Sequence, residues 1–182
     1  FADLAKKAYE LTGRPVVLRS GDVAARRAAA EAVKGSGSVL SAATPERADA
    51  LRQVAEANGH ALAVRGEIDE MTAVTGVLKA AGFNKLLLQF EAASPAEAFQ
   101  LNSLARRAAL KDGVKALGYP TLSFIPAGDV FATTEAAVLE ISKYGGLCVL
   151  PGFNAAQLAS LMTLRLNLYT DPQKPIQVEP KV

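Results

Sequence analysis

The chain has 182 residues, half of them apolar and 21% charged, with a formal net charge of +2. That length suits one well-buried domain, and the composition excludes a disordered chain. No apolar run approaches the ~20 residues of a membrane helix, and no basic stripe argues for a nucleic-acid partner.

Residues 2–12 read as a helix with Leu4, Ala5, Ala8 and Leu11 on one face, and Gly13 stops it. The run from Pro15 to Ser20 has strand length, and Asp22 is a natural N-cap for a helix over 23–34. The unit then repeats. A strand over 38–43 leads to Thr44 as N-cap and Pro45 at the first helical position. The helix over 46–57 turns Leu51, Val54 and Ala55 inward, with Arg47, Arg52 and Glu56 outward. A strand over 61–65, a helix over 69–81 closed by Gly82, and a strand over 84–90 follow. Ser94–Pro95–Ala96–Glu97 is a capping box with proline in the first turn, opening a helix to about residue 111. The next strand is 120–125, with Pro126–Ala127–Gly128–Asp129 as its exit and a helix over 134–144 ending at Gly145–Gly146. The last strand is 147–150. Asn154 with Gln157 resembles a capping box for a final helix, whose Leu158, Leu161, Met162, Arg165 and Tyr169 share one face to bury. Prolines 172, 175 and 180 then forbid helix, so the chain leaves extended.

Strands alternating with amphipathic helices make a parallel sheet, and runs apolar on both faces suit a sheet covered on both sides. Six strands are two short of the eight that close a (β/α) barrel. Two architectures fit: a barrel of which this chain is a fragment, and a doubly wound open sheet complete as it stands.

Either architecture binds ligands outside the carboxyl ends of the strands. Those ends offer Ser20 and Asp22, Thr44 and Glu46, Arg65 and Glu67, Gln89 and Glu91, Asp129, and Asn154. Asp22, Thr44 and Asn154 already have work as helix caps. Arg65 could bind an anion or pair with Glu67 or Glu91, and pairing is the simpler expectation. No glycine-rich phosphate loop follows a strand, since Gly35–Ser36–Gly37 precedes one. Lys85 begins a strand, at the end away from chemistry. The single cysteine, Cys148, excludes an intrachain disulfide and a four-cysteine cluster from this chain, and its apolar neighbours predict a buried, inert thiol. The single histidine, His60, follows Asn58–Gly59 at a helix end and is expected at the surface. Arg106–Arg107 would ordinarily be a solvated helix face. Carboxylates are plentiful, but no base–nucleophile pair stands out.

Two segments are far less generic. One comprises Leu164, Arg165, Asn167, Tyr169, Thr170, Asp171, Pro172, Lys174, Pro175, Gln177, Val178, Glu179 and Pro180. The other comprises Leu101–Asn102, Arg106–Arg107–Ala108–Ala109 and Leu117–Gly118–Tyr119–Pro120. Together they resemble the barrel domain of the large subunit of the corrinoid iron–sulfur protein, also called the gamma subunit of acetyl-CoA decarbonylase/synthase. The resemblance is close in these segments and loose over the rest of the chain. It favours an α/β fold: a parallel (β/α) barrel of TIM type, truncated at its N-terminus, with about six of eight strands present. Residues 1–170 would be the partial barrel and 171–182 an extended linker toward a corrinoid-binding domain outside this chain.

The resemblance implies a methyl carrier of the reductive acetyl-CoA pathway. Such a carrier takes a methyl group from methyltetrahydrofolate or methyltetrahydropterin and delivers it, on cobalt, to acetyl-CoA synthase. The corrinoid (cobamide) and the [4Fe–4S] cluster belong to other parts of the full-length family member, so no cofactor is expected within this segment and no catalytic residue is identified. The implied partners are the small barrel subunit, in a heterodimer, together with a methyltransferase and acetyl-CoA synthase. No nucleic acid and no membrane are expected, and the location implied is the cytoplasm. Family-motif positions that could contact a partner are Asn102, Arg106, Arg107, Arg165, Asn167, Tyr169, Asp171, Pro172 and Glu179. Strand-end candidates are Thr44, Arg65, Glu67, Gln89 and Glu91. The chain departs from the family pattern at Gln89–Phe90–Glu91, where an Asp-Pro-Gly-Thr turn is usual, and also at 126–133 and 151–153. The alternative is a stand-alone α/β small-molecule enzyme of pterin-binding or aldolase-like barrel type; a third possibility is an interaction domain without cofactor partners. An unclosed barrel exposes strand edges, so the isolated segment is expected to fold poorly.

Overall fold

The structure is a computed structural model and describes residues 1–168. Six short strands alternate with helices throughout: β1 Val17–Arg19, β2 Val39–Ala43, β3 Ala61–Gly66, β4 Leu86–Phe90, β5 Leu122–Phe124 and β6 Leu147–Val149. The helices are α1 Ala2–Thr12, α2 Val23–Ala32, α3 Ala48–Asn58, α4 Ile68–Ala80, α5 Pro95–Leu110, α6 Val130–Ser142 and α7 Ala155–Leu168. Strands β1 to β4 form one parallel sheet in chain order, and β5 and β6 form a parallel pair. The two blocks meet at a single bridge between Leu88 and Thr121, where the Leu88 amide donates to the Pro120 carbonyl at 2.8 Å. Every strand therefore neighbours the next one in sequence.

The two faces of this wall are covered differently. Leu18, Leu40, Leu62, Val64 and Leu86 pack outward against Ala29, Ala30, Leu51, Ala55 and Leu78 of the helices. Leu88 meets Met71 and Ala105, and Ile125 meets Ala137, Ile141 and Leu161. Fully burying a leucine in this way is worth roughly 1.5–3 kcal/mol. The opposite face gathers Val17, Val39, Ala61, Ala63, Leu87, Leu122, Phe124 and Val149 into one cluster that contains no helix residue. A doubly wound sheet would bury both faces under helices. Here one face is covered by helices and the other by the strands' own side chains, which is consistent with part of a barrel.

Local chemistry explains the boundaries, including several that differ from expectation. Asp22 caps α2 through the Ala24 amide at 2.9 Å, and Ser94 caps α5 through the Glu97 amide at 3.2 Å. Helix α6 begins at Val130, a turn earlier than the sequence pattern suggests, because Asp129 is its N-cap and accepts from the amides of Phe131 and Ala132. Thr44 precedes a 3-10 turn, Pro45–Arg47, without making a side-chain cap bond. Asn154 does cap α7, accepting from the Gln157 amide at 3.0 Å. The Gln157 side chain turns instead to Thr133 and Thr134 of α6, at 2.9 Å each.

Three burial expectations are corrected. His60 is fully buried, with Nε2 2.9 Å from the Ala30 carbonyl oxygen, because the turns at Gly35 and Gly59 fold together above it. Of the apolar face of α1 only Ala5 is buried, while Leu4 and Leu11 are exposed, because the helix packs chiefly on α2. On α7, Leu161 is buried but Leu158 and Met162 are exposed, since α6 covers only the Gln157–Leu161 side. Tyr169, the last residue assigned to that face, lies outside the described residues.

Entry into β6 is tightly specified. A Cβ on Gly146 would lie 2.8 Å from the Thr121 carbonyl oxygen, which already accepts from the Leu147 amide. Only glycine lets β6 approach β5 there.

Candidate functional site

The register of the wall opens a cleft. β4 stays paired with β3 through Phe90, whereas it touches β5 only at Leu88. Beyond that bridge β4 and β5 diverge, and a cleft of about 590 Å³ lies at their carboxyl ends, where this kind of fold places its ligands. Its rim carries Arg19, Arg65 and Glu91; its interior carries Asn102, Ser123 and Glu140.

The interior is an ordered polar triad. Glu140, on α6, is 7% exposed, and its Oε2 accepts from Asn102 Nδ2 at 2.7 Å and from Ser123 Oγ at 2.8 Å. Two neutral donors thus hold one carboxylate oxygen, which satisfies this buried group. The cost of burial is visible on Cys148 of β6. Desolvation raises its thiol pKa to about 11; the Glu140 charge adds to the rise and Arg165 opposes it. Cys148 is only half-buried, not buried as its apolar neighbours predict, and the raised pKa keeps its thiolate scarce.

At the rim, Arg65 Nε lies 2.9 Å from Glu91 Oε1, so of its two candidate partners Arg65 takes Glu91. Glu67 is occupied elsewhere, as the N-cap of α4 in a reciprocal capping box with Glu70. Gln89 Oε1 accepts from Ser41 Oγ at 2.9 Å, tying β4 to β2 across the inner face. Arg19 sits with its guanidinium 4.2 Å from the centre of the Phe124 ring, a cation–π contact between β1 and β5. Thr44 stands apart from the cleft, and its hydroxyl hydrogen-bonds Glu46, holding that carboxyl below its usual range.

The motif positions divide. Asn102 is interior and lines the cleft. Arg106 and Arg107 are exposed on α5, and the Arg106 guanidinium lies 5.3 Å from the centre of the Tyr144 ring. Arg165 and Asn167 are exposed on α7. Tyr169, Asp171, Pro172 and Glu179 lie outside the described residues.

Sequence reasoning passed over Arg19, Ser123, Phe124 and Glu140, all of which line the cleft. One signal was available: Glu140 is a lone charge in the apolar run Ala136–Ala137–Val138–Leu139–Glu140–Ile141. Another buried cation was also silent. Arg26 of α2 is 2% exposed and donates to the carbonyls of Ser41 (3.3 Å) and Ala42 (2.9 Å) at the end of β2. Desolvation lowers its pKa, as does Arg47, with Asp22 acting in the opposite sense.

Comparison with known proteins decides the family. The sequence model for the CO dehydrogenase/acetyl-CoA synthase delta subunit matches residues 1–182. The chain belongs to that family. It is 32% identical over 168 residues to the corrinoid/iron-sulfur protein large subunit of Moorella thermoacetica, covering 92% of this chain and 38% of the relative. It is 28% identical over 197 residues to the acetyl-CoA decarbonylase/synthase complex subunit gamma of Methanothermobacter thermautotrophicus, covering 100% of this chain and 43% of the relative. The corresponding gamma subunit of Archaeoglobus fulgidus is 26% identical over 182 residues, again with 39% of its length covered. The chain thus spans about two fifths of the length of these relatives. The family is named for a delta subunit and these relatives are named large or gamma.

The donor set of this chain does not fit the metal groups that family implies. An iron–sulfur cluster needs several thiolates and the chain has one cysteine, with its thiol held protonated. Its one histidine is buried under α2. Among the described residues no three His, Cys, Asp or Glu side chains converge on a point. No helix among the described residues is long and apolar enough to cross a membrane.

Proposed function

We propose that this chain is the barrel portion of a corrinoid iron–sulfur methyl-carrier subunit of the large or gamma type. The whole subunit would take a methyl group from a methyltetrahydrofolate or methyltetrahydropterin donor and present it to acetyl-CoA synthase in the reductive acetyl-CoA pathway. Within it this segment would be mainly structural and would associate with the small barrel subunit, while a cobamide and a [4Fe–4S] cluster would be carried by other parts of the polypeptide. Residues 1–170 would form the barrel wall, closed by strands from outside the chain, and 171–182 would lead toward the corrinoid-binding domain. The cytoplasm is the location this role calls for.

One observation carries the reading: among the described residues six parallel strands run in strict chain order, and their inner apolar side chains form one cluster without a helix residue. That is two strands short of the eight a barrel of this class needs. Full-length family matching and relatives more than twice this length point the same way. The exposed pair Arg106–Arg107 on α5 offers a charged surface for a partner.

The experiment is to express the complete gene with its small-subunit neighbour, purify through a tag on the small subunit, and supply cobinamide and iron. Co-purification with a cobalt-corrinoid absorption spectrum supports the reading, and an Arg106→Glu/Arg107→Glu variant should weaken co-purification. A product that is monomeric and colourless, with no corrinoid bound, would overturn it.

A further inference from the structure

The cleft between β4 and β5 has two chemically different ends, and the carrier role above uses neither. At the interior end both donors to Glu140 are neutral and both fall on Oε2. A carboxylate offers about four acceptor sites, so Oε1 is left over, together with the Asn102 carbonyl oxygen and the Ser123 lone pairs. Asn102 Nδ2 keeps one N–H, and the other spare valences are all acceptors. With the Glu140 carboxylate at its centre, the site is matched to a donor-rich cation and mismatched to an anion. At the rim the charge of Arg65 is answered by Glu91. Arg19 is in none of the ion pairs among the described residues; its guanidinium carbon lies 4.2 Å from the centre of the Phe124 ring, and no carboxylate answers its charge there. The volume, about 590 Å³, is that of a small-molecule site.

We propose that this cleft binds a small zwitterion, with a guanidinium-type N–H-rich head against Glu140, Asn102 and Ser123, and a carboxylate on Arg19. It is a ligand site separate from corrinoid and cluster, and it stands or falls independently of the carrier reading.

The test is isothermal titration calorimetry on the polypeptide expressed from its complete gene, with 4-guanidinobutyrate and butylguanidine as probes. The first carries both groups and the second lacks the carboxylate. Saturable binding of 4-guanidinobutyrate is expected, weakened about tenfold or more in Glu140→Gln because a charge-assisted bond is lost. Preference over butylguanidine should be a few-fold, roughly what an exposed ion pair is worth, and should vanish in Arg19→Ala. Ala98→Leu leaves the triad intact and projects bulk into the cleft from α5, so it should abolish binding while retaining the wild-type circular dichroism spectrum. Should Glu140→Gln fail to fold, Ala98→Leu decides the matter. No heat at millimolar probe, equal affinity in Ala98→Leu, or equal affinity for butylguanidine would each overturn the proposal.

Discussion

Asn102 Nδ2 lies 2.7 Å from Glu140 Oε2, joining α5 to α6 across the β5 strand that runs between them in sequence. Both residues are largely buried, so losing one partner leaves the other short of a strong bond. Asn102→Ala should therefore destabilise by about 1–3 kcal/mol, read as a lower urea midpoint with unchanged slope. Asn102→Asp should do something the alanine does not. Two carboxyl groups at that distance cannot both ionise, so one is pushed above its usual range. A carboxyl with a raised folded pKa contributes stability at low pH that is lost as pH rises through that value. The Asp variant should thus fall further behind wild type at pH 8 than at pH 5, and parallel midpoints at both would refute the coupling.

Arg26 holds the end of β2 by donating to its carbonyls. Arg26→Ala strands one buried and one part-buried acceptor and leaves a void, which should cost about 2–4 kcal/mol in chemical denaturation. Arg26→Met restores the volume without the donors and should recover only part of the loss.

The Arg65–Glu91 pair sits at a rim where both side chains are nearly half exposed, at 44% and 47%. Its geometry is good but its surroundings are wet, so Glu91→Gln should change stability by less than about 1 kcal/mol. At high salt the difference should shrink further; a large, salt-independent loss would show that the pair does more than expected.

Cys148 should resist alkylation. With its pKa raised to about 11 from an ordinary 9.0, the thiolate fraction at pH 8 is about 100-fold lower than for an open thiol. Iodoacetamide should label it that much more slowly in the fold than in urea. The linkage has a definite sign: the unfolded thiol ionises first, so this group's contribution to stability is complete below about pH 9 and lost as pH rises toward 11. Cys148→Ala should remove that slope.

The alternation of strands and helices was legible because the apolar runs are short, bounded by Gly, Pro and Asp, and close to one unit apart. The one-sided covering was not: Leu18 and Val17 are equally apolar in sequence, yet one meets helices and the other meets strands. His60 misled because Asn58–Gly59 marks a helix end, while burial depended on a second turn at Gly35, distant in sequence. The cleft triad was hidden for the same reason. Asn102, Ser123 and Glu140 are polar residues on three different elements, and only the divergence of β4 from β5 gathers them.

The single bridge between Leu88 and Thr121 also bears on how the chain assembles during synthesis. Each strand needs only the strand just before it, so pairing can keep pace with elongation and little loop entropy accumulates before contacts form. The block from β1 to β4 can zip while β5 and β6 are still being translated. The join at Leu88 is then the late step, and stalled chains long enough for residue 90 to have left the ribosome should already protect the backbone amides of β2 and β3 from deuterium exchange.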